Sequence, residues 1–382
     1  MTTTADPFDP TASWQRPVRI GAPGDLLAAL PAMLGFPPER SIVVACLGGD
    51  TGTALGAVMR HDLLVSRTRG LEPIMTAALD QFAAVAARER ASGVIAAIVD
   101  DTAVCTRPRG SCDHRRRRRG CGRYLATRRH ELVVAGLRTR LRRQSIHLLA
   151  VHVTAEVAAG QPWWSLRNDD RGGLLPDPSA TAVAAAHVFE GRQIHGSRAD
   201  VAAVIAPDET AQRAVAAELR ALEQDPTAPE RLLTRGGLEL VLRAVAEFDP
   251  AAPPEFRRCA EIAVALRDRD VRDALIALSV GASAEDANAL WAHLCRVLPA
   301  PDRAEPATLL GFGTYIRREG PLAGIAFAAA LAADPPHRLA RLLDSALQAG
   351  MRPDDMRDLA DTGYRCAKRL GVILPPPLAR TE

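Results

Sequence analysis

Residues 24–47, GDLLAALPAMLGFPPERSIVVACL, leave this chain few architectures to choose from. Leu26, Leu27, Leu30, Met33 and Leu34 recur at helical spacing and give the stretch one apolar face. Asp25 follows Pro23-Gly24, where a helix N-cap or first-turn acid belongs. Pro31 falls inside the pattern, so a kink or an early end is expected. Gly35 then stops the helix, and Pro37-Pro38 keep it from restarting. From Ser41 the run to Leu47 is apolar, too short for a helix and rich in β-branched side chains. That predicts a strand covered on both faces. The stretch contains no nucleophile, metal cluster or phosphate loop, so it specifies scaffold rather than chemistry.

The same alternation continues downstream. Residues 1–16 have no periodicity and read as a disordered, acidic, Thr-rich tail, with a short strand at 18–20. GGDTG at 48–52 is a hairpin turn, and 53–60 is the returning strand. A helix is expected over 73–91 and a second buried strand over 94–99, ending at Asp100-Asp101. A helix through Leu125, Leu132, Val133, Leu137 and Leu141 precedes a strand at 146–153. Pro162-Trp163-Trp164 opens a loop-rich stretch to 178, followed by helices over 180–189 and 198–205. Strands alternating with helices define an α/β domain, a mixed sheet layered with helices. After Pro207 only helical patterns remain, among them 208–222 and 232–248, and AAPPE at 251–255 reads as a linker. The expected division is a tail (1–16), an α/β domain (17–207), a helical connector (208–254) and an all-α domain (255–382).

Composition narrows the setting. With 47% apolar and only 4% aromatic residues among 382, Ala, Leu and Val must do most of the packing. No apolar run approaches the ~20 residues of a membrane span. The polar N-terminus does not resemble a secretory signal. Seven cysteines, an odd number in a long chain, fit a reducing cytoplasm better than a disulfide framework. The net charge of +3 conceals an asymmetry: residues 106–143 hold 14 Arg against Asp113 and Glu131, a window of +12, which leaves −9 for the rest.

A faint repeat marks the C-terminal third. Ala287, Trp291, Leu294 and Pro299 recur 36 residues later as Ala323, Phe327, Ala330 and Pro335. Ala360, Tyr364 and Ala367 repeat the first three positions after a further 37. This resembles the tetratricopeptide pattern, in which a small residue lets paired helices touch and a ring fills the seam. Thr314 stands where that pattern carries an aromatic, with Tyr315 adjacent. The resemblance implies three stacked hairpins over 270–370 and a peptide groove including Tyr315, Arg317 and Arg318, which favours an acidic partner segment.

Several segments together resemble the domain-of-unknown-function 4192 proteins of high-GC Gram-positive bacteria. They are GDLLAALPAMLGF with SIVVACL, Arg60-His61-Asp62-Leu63, Trp163-Trp164-Ser165, VRDAL at 271–275, EPATLLGFGTYIRREGPLA at 305–323 and ADPPHRLARLLDSALQAG at 333–350. The resemblance brings no established activity. Where many such proteins carry cysteines after the paired Trp, this chain has LRNDDRGGLLPDP, with none.

The chemistry-bearing residues form four groups. Cys105, Cys112, His114 and Cys121 are four zinc-type ligands, but C-x6-C-x-H-x6-C lacks the short pairs of common zinc modules, and the surrounding Arg repels a cation. Arg115, Arg116, Arg117, Arg118 and Arg119 can neutralise phosphates without sequence preference, but Tyr124 is the only aromatic nearby, so a basic loop with no nucleic-acid role is favoured. Arg60 and Asp62 share a strand face at a strand end, where α/β proteins place ligands, and a structural ion pair is the simpler reading. His61 points to the opposite face. Trp163 and Trp164 either line a pocket or anchor a loop. Arg272 and Asp273 are expected to form helix-surface ion pairs. No G-x-S-x-G, P-loop, H-E-x-x-H or G-x-G-x-x-G is present, so no cofactor is implied and catalysis loses weight. The leading expectation is a cytoplasmic binding or scaffold protein that docks a protein or peptide partner through its helical domain, away from membranes. The alternatives are an enzyme using a cleft near Arg60, Asp62, Trp163 and Trp164, and a nucleic-acid-associated protein acting through the Arg-rich loop.

Overall fold

The computed structural model describes residues 20–49, 52–64, 70–103, 122–166, 172–189, 191–227, 232 and 234–378, with 122–125 as backbone only. The expected tail and most of the basic insertion lie outside the described residues. Six strands form one sheet: β1 (Ser41–Gly48), β2 (Ala54–Asp62), β3 (Gly93–Val99), β4 (His147–Thr154), β5 (Pro162–Ser165) and β6 (Gly172–Leu174). Their order is β2-β1-β3-β4-β5-β6. The β3–β4 pair is parallel and the others are antiparallel, so the sheet is mixed, as the hairpin turn predicts.

Strand parity builds a core on each face. Ile42, Val44 and Cys46 of β1 and Val94, Ala96 and Ile98 of β3 face α2 (Pro73–Arg88) and α3 (Gly122–Arg143). Val43, Ala97 and Val99 face α1 (Pro23–Leu34) through Leu27, Leu30 and Leu34. Helix α3 crosses over between the parallel strands β3 and β4. In α1, Asp25 takes the first-turn position, and its Oδ2 accepts the Ala22 N–H at 3.1 Å. Pro31 forfeits a backbone bond, yet α1 continues to Leu34 because its surroundings are apolar on almost every side.

The expected loop at 162–178 contains two strands instead. The free edge of β4 supplies the pairing: Trp163 lies opposite Thr154 and Gly173, and Trp164 opposite Val153 and Gly172. A Cβ on Gly172 would lie 2.7 Å from the Trp163 carbonyl, so only glycine fits there.

Beyond Leu174, every regular element among the described residues is helical. These are a 3₁₀ turn (Pro178–Ala180), α4 (Ala182–Phe189), α5 (Arg198–Ala203), α6 (Glu209–Glu223), α7 (Thr234–Ala246), α8 (Phe256–Leu266), α9 (Arg269–Leu275), a second 3₁₀ turn (Ile276–Val280), α10 (Ala284–Val297), α11 (Ala304–Ile316), α12 (Gly320–Ala333), α13 (Arg338–Gln348), α14 (Pro353–Met356) and α15 (Asp358–Arg369). One hydrophobic core runs from Ile205 to Leu374, and α6 packs on α8. The connector at 208–254 therefore shares its core with the helices that follow, and the AAPPE segment is a surface loop across it. Ala287, Ala323 and Ala360 are all buried, as are Trp291 and Phe327. Their surroundings differ: α12 packs on α11 and α13, whereas α15 packs back on α9 and the 276–280 turn.

The helical part docks on α2. Gln81 Nε2 donates to the Gln348 carbonyl at 2.7 Å, Arg88 donates to the Ala349 carbonyl, and Arg352 pairs with Glu89 at 3.1 Å. No helix among the described residues is long and apolar enough to cross a membrane.

Candidate functional site

Ser41, Asp62, Val99 and Thr154 line up across the sheet, so β2, β3 and β4 all end at the rim where β1 begins. A cleft of about 580 Å³ opens there, with Phe36, Pro37 and Pro38 as apolar wall and Glu39, Arg40, Arg60, Asp62, Asp101, Glu156 and Arg198 as charged lining. Arg60 and Asp62 share the face that parity assigns them, with Nη2 2.6 Å from Oδ1. Arg60 Nε also donates to Ser41 Oγ at 2.8 Å, and its guanidinium lies 5.9 Å from the Phe36 ring centroid. Burial lowers the Arg60 pKa, Asp62 opposes that shift, and nearby Arg198 adds to it. Arg40 grips Asp101 with two bonds, at 2.9 and 2.8 Å, and holds its carboxyl below the ordinary range. The rim is thus largely neutralised by its own pairs.

The two tryptophans do not join this cleft. Trp163 packs on the α1 side, edge-on to His152 with ring centroids 5.2 Å apart. Trp164 packs on the α2 and α3 side. Adjacent strand residues point to opposite faces, so the pair anchors β5 to both layers and does not line one pocket.

A larger groove of about 750 Å³ runs along the other side of β2. Seven consecutive residues, 55–61, line it. Both side-chain parities can contribute only if the groove follows the edge of the strand rather than one face. Helix α2 supplies Gln81, Phe82 and Val85, its C-cap supplies Glu89, α4 supplies Val183 and His187, and the helical part closes the far side with Tyr315, Arg318 and the 347–354 segment. Tyr315 shapes this wall from inside: it is 4% exposed, and its hydroxyl donates to the Met351 carbonyl at 2.6 Å. Arg318 reaches Asp354 at 2.9 Å and faces the groove. Arg317 is tied to Glu285 and Glu319, each at 3.0 Å, and does not line the groove. The trio expected on one concave helical face is therefore divided. Burial, with Arg192 nearby, lowers the His187 pKa to about 4.

Two further polar clusters lie outside the cleft and the groove, and the first was not anticipated from the sequence. His130 is fully buried in α3, with Nε2 2.7 Å from Asp100 Oδ2. Asp100 also accepts the Thr102 N–H and hydroxyl at 2.9 and 2.7 Å; burial raises its pKa, but these bonds prevail and hold it at about 2. The signal was present in the sequence: Val99 faces α1, so Asp100 must face α3, and His130, Val133, Val134, Leu137 and Leu141 follow a helical core spacing. In the helical part, Arg272 bonds Asp273 and Glu305 at 2.6 and 3.2 Å with little exposure, a more buried setting than the expected surface pair. His337 Nδ1 accepts the Ala340 N–H as a helix cap, and its Nε2 lies 3.2 Å from Glu305 without completing a hydrogen bond.

Cys105, Cys112, His114, Cys121 and the five arginines from Arg115 to Arg119 lie outside the described residues. Among the described residues no group of three or more His, Cys, Asp or Glu is placed to hold a metal. Cys46, Cys259, Cys295 and Cys366 are buried free thiols, and burial pushes the first three up to about 12.

These features define an α/β sheet protein with a helical half docked against it and an open groove between them. The chain belongs to the family described as Domain of unknown function (DUF4192), whose model matches residues 23–354. No curated protein and no solved structure matches it.

Proposed function

We propose that this protein is a binding or scaffold protein that docks a protein or peptide partner in the groove between β2 and the helical part. One observation carries the reading: a long sheet edge and a helical wall, from distant parts of the chain, face each other across about 750 Å³. The helical part contributes through the end of α11 and the 347–354 segment, and any tetratricopeptide kinship serves to build that wall. The buried free thiols and the odd cysteine count support a cytoplasmic setting.

The test is selection of random ten-residue peptides, displayed as a library, on the full chain. Selected binders should lose about tenfold or more in affinity, ~1.4 kcal/mol, on the Arg318→Glu/Arg352→Glu double variant, and nothing on Arg235→Glu, which lies away from the groove. An empty selection, or binders indifferent to the double variant, would end the reading.

A second reading rests on Arg198. It lines the rim cleft beside Arg60, and its like charge lowers the Arg60 pKa. An anionic small molecule bridging the two would relieve that repulsion. A thermal-shift screen with inorganic phosphate and small carboxylates checks it, since a ligand bound only by the folded state raises Tm. No shift, or a shift unchanged in Arg198→Ala, would remove this reading.

A further inference from the structure

We infer that the partner enters as an extended, acidic segment that hydrogen-bonds along β2 as a seventh strand. This rests on the docking reading above and specifies its chemistry.

The sheet has two edges. At one, β6 is three residues long, and short edge strands are a common way to blunt self-association. At the other, β2 has nine residues. Among the described residues, the backbone of 55–61 bonds only to β1. Gly56 and Ala57 lie together opposite Cys46 as a bulge, and from Val58 to His61 every second residue presents its N–H and C=O toward the groove. Such a row is a template for another strand, and long open edges are normally covered, charged or broken by proline. Here the bulge interrupts the edge, and helix α2 and the 347–354 segment wall the groove that runs beside it. Such walls disfavour sheet-to-sheet pairing with a second copy and leave the groove to a single chain.

The walls suit alternating side chains. An added strand would point its side chains by turns toward Met33 and Val183 on the α1 side and toward Phe82 and Val85 on the α2 side. A helical occupant, ~10–12 Å across with its backbone bonds satisfied internally, could not use the edge groups. Seven strand residues span roughly 20 Å, which sets the length of the segment.

Charge sets its sign. Arg60, Arg192, Arg318 and Arg352 line the groove against Glu89 and Asp354, and with Asp62, which pairs with Arg60, counted as well the excess is one positive charge, histidines neutral. Complementary potential favours Asp and Glu in the partner and speeds its arrival.

The experiment uses a peptide from the displayed library on the full chain. Hydrogen exchange should slow at alternate amides within 58–61, beyond the Gly56–Ala57 bulge, when the peptide binds. Backbone N-methylation at every second peptide residue should abolish binding in one phase and be tolerated in the other, because only one set of N–H groups faces β2. Enriched peptides should be acidic, and their affinity should fall with salt. Unchanged exchange at 58–61, tolerance of both methylation phases, or enrichment of basic peptides would each overturn strand addition. If such peptides still fail on Arg318→Glu/Arg352→Glu, docking survives and only this inference falls. A library that yields no binder removes both.

Discussion

Asp100 and His130 show how much one parity step decides. Val99 turns toward α1, so the next residue turns inward to α3 and meets a fully buried imidazole at 2.7 Å. Removing one partner leaves the other buried and uncompensated, and such losses run to about 3–5 kcal/mol. His130→Ala and Asp100→Asn are both expected in that range by urea denaturation. A loss under ~1 kcal/mol would mean that apolar packing alone holds α3 to the end of β3. The pair also gives a pH signature. Asp100 is held at about 2 against an ordinary 3.8, so its contribution is complete above 3.8 and is lost as pH falls through 2. His187 acts at higher pH. Its folded pKa is about 4, while the unfolded side chain titrates near 6.5, so the unfolded chain takes up the proton first. Stability is therefore undiminished by this group above 6.5 and declines as pH falls toward 4. His187→Gln should flatten that part of a stability–pH curve, and an unaltered slope would show that His187 is not desolvated in the folded state.

The α11–α12 hairpin brings two helices of the helical part into close contact. A Cβ on Gly311 would lie 2.4 Å from the Phe327 ring, and Ala323 is fully buried one turn before that ring. Gly311→Ala and Ala323→Leu both overpack this contact and should each cost ~1–3 kcal/mol, whereas exposed Arg338→Leu should cost little. Equal effects of all three in denaturant titrations would contradict the packing. The hairpin also marks what the sequence made legible. Small residues and rings at a fixed spacing pointed to close helix contacts; α1 was readable from its periodicity, β1 and β3 from short apolar runs, and β2 from the turn before it. Strands β5 and β6 were not, because four and three residues carry no period and their pairing comes from the free edge of β4. The proline-rich segment at 251–255 imitated a domain boundary, since local composition holds no trace of α6 packing on α8. Arg60 and Asp62 were found by strand alternation alone. The groove was invisible for the opposite reason, as its walls lie about 300 residues apart, from Leu55 to Asp354.

The groove exists only while the two halves stay docked, and α2 carries the docking on the groove side. Gln81 and Arg88 of α2 hold the carbonyls of Gln348 and Ala349, Glu89 holds Arg352, and Gly350 lies between these contacts. Gly350 has φ +65°, and a Cβ placed on it would lie 2.5 Å from Val85 Cγ1. Valine there meets both a left-handed backbone that β-branched residues avoid and a collision with α2. Gly350 is only partly buried and meets α2 at Val85, so Gly350→Val should leave each half folded and part them along α2. Three readouts should then move together. The single unfolding transition should split or broaden, proteolysis should begin near 350, and affinity for a groove-selected peptide should fall although no residue that would touch it has lost a charge. Val85→Ala in the same chain removes the colliding methyl groups and should restore part of the affinity. If Gly350→Val binds peptide as tightly as the parent chain and unfolds in one unchanged step, the wall at 347–354 does not depend on this contact. The groove would then have to be set by the helical core alone.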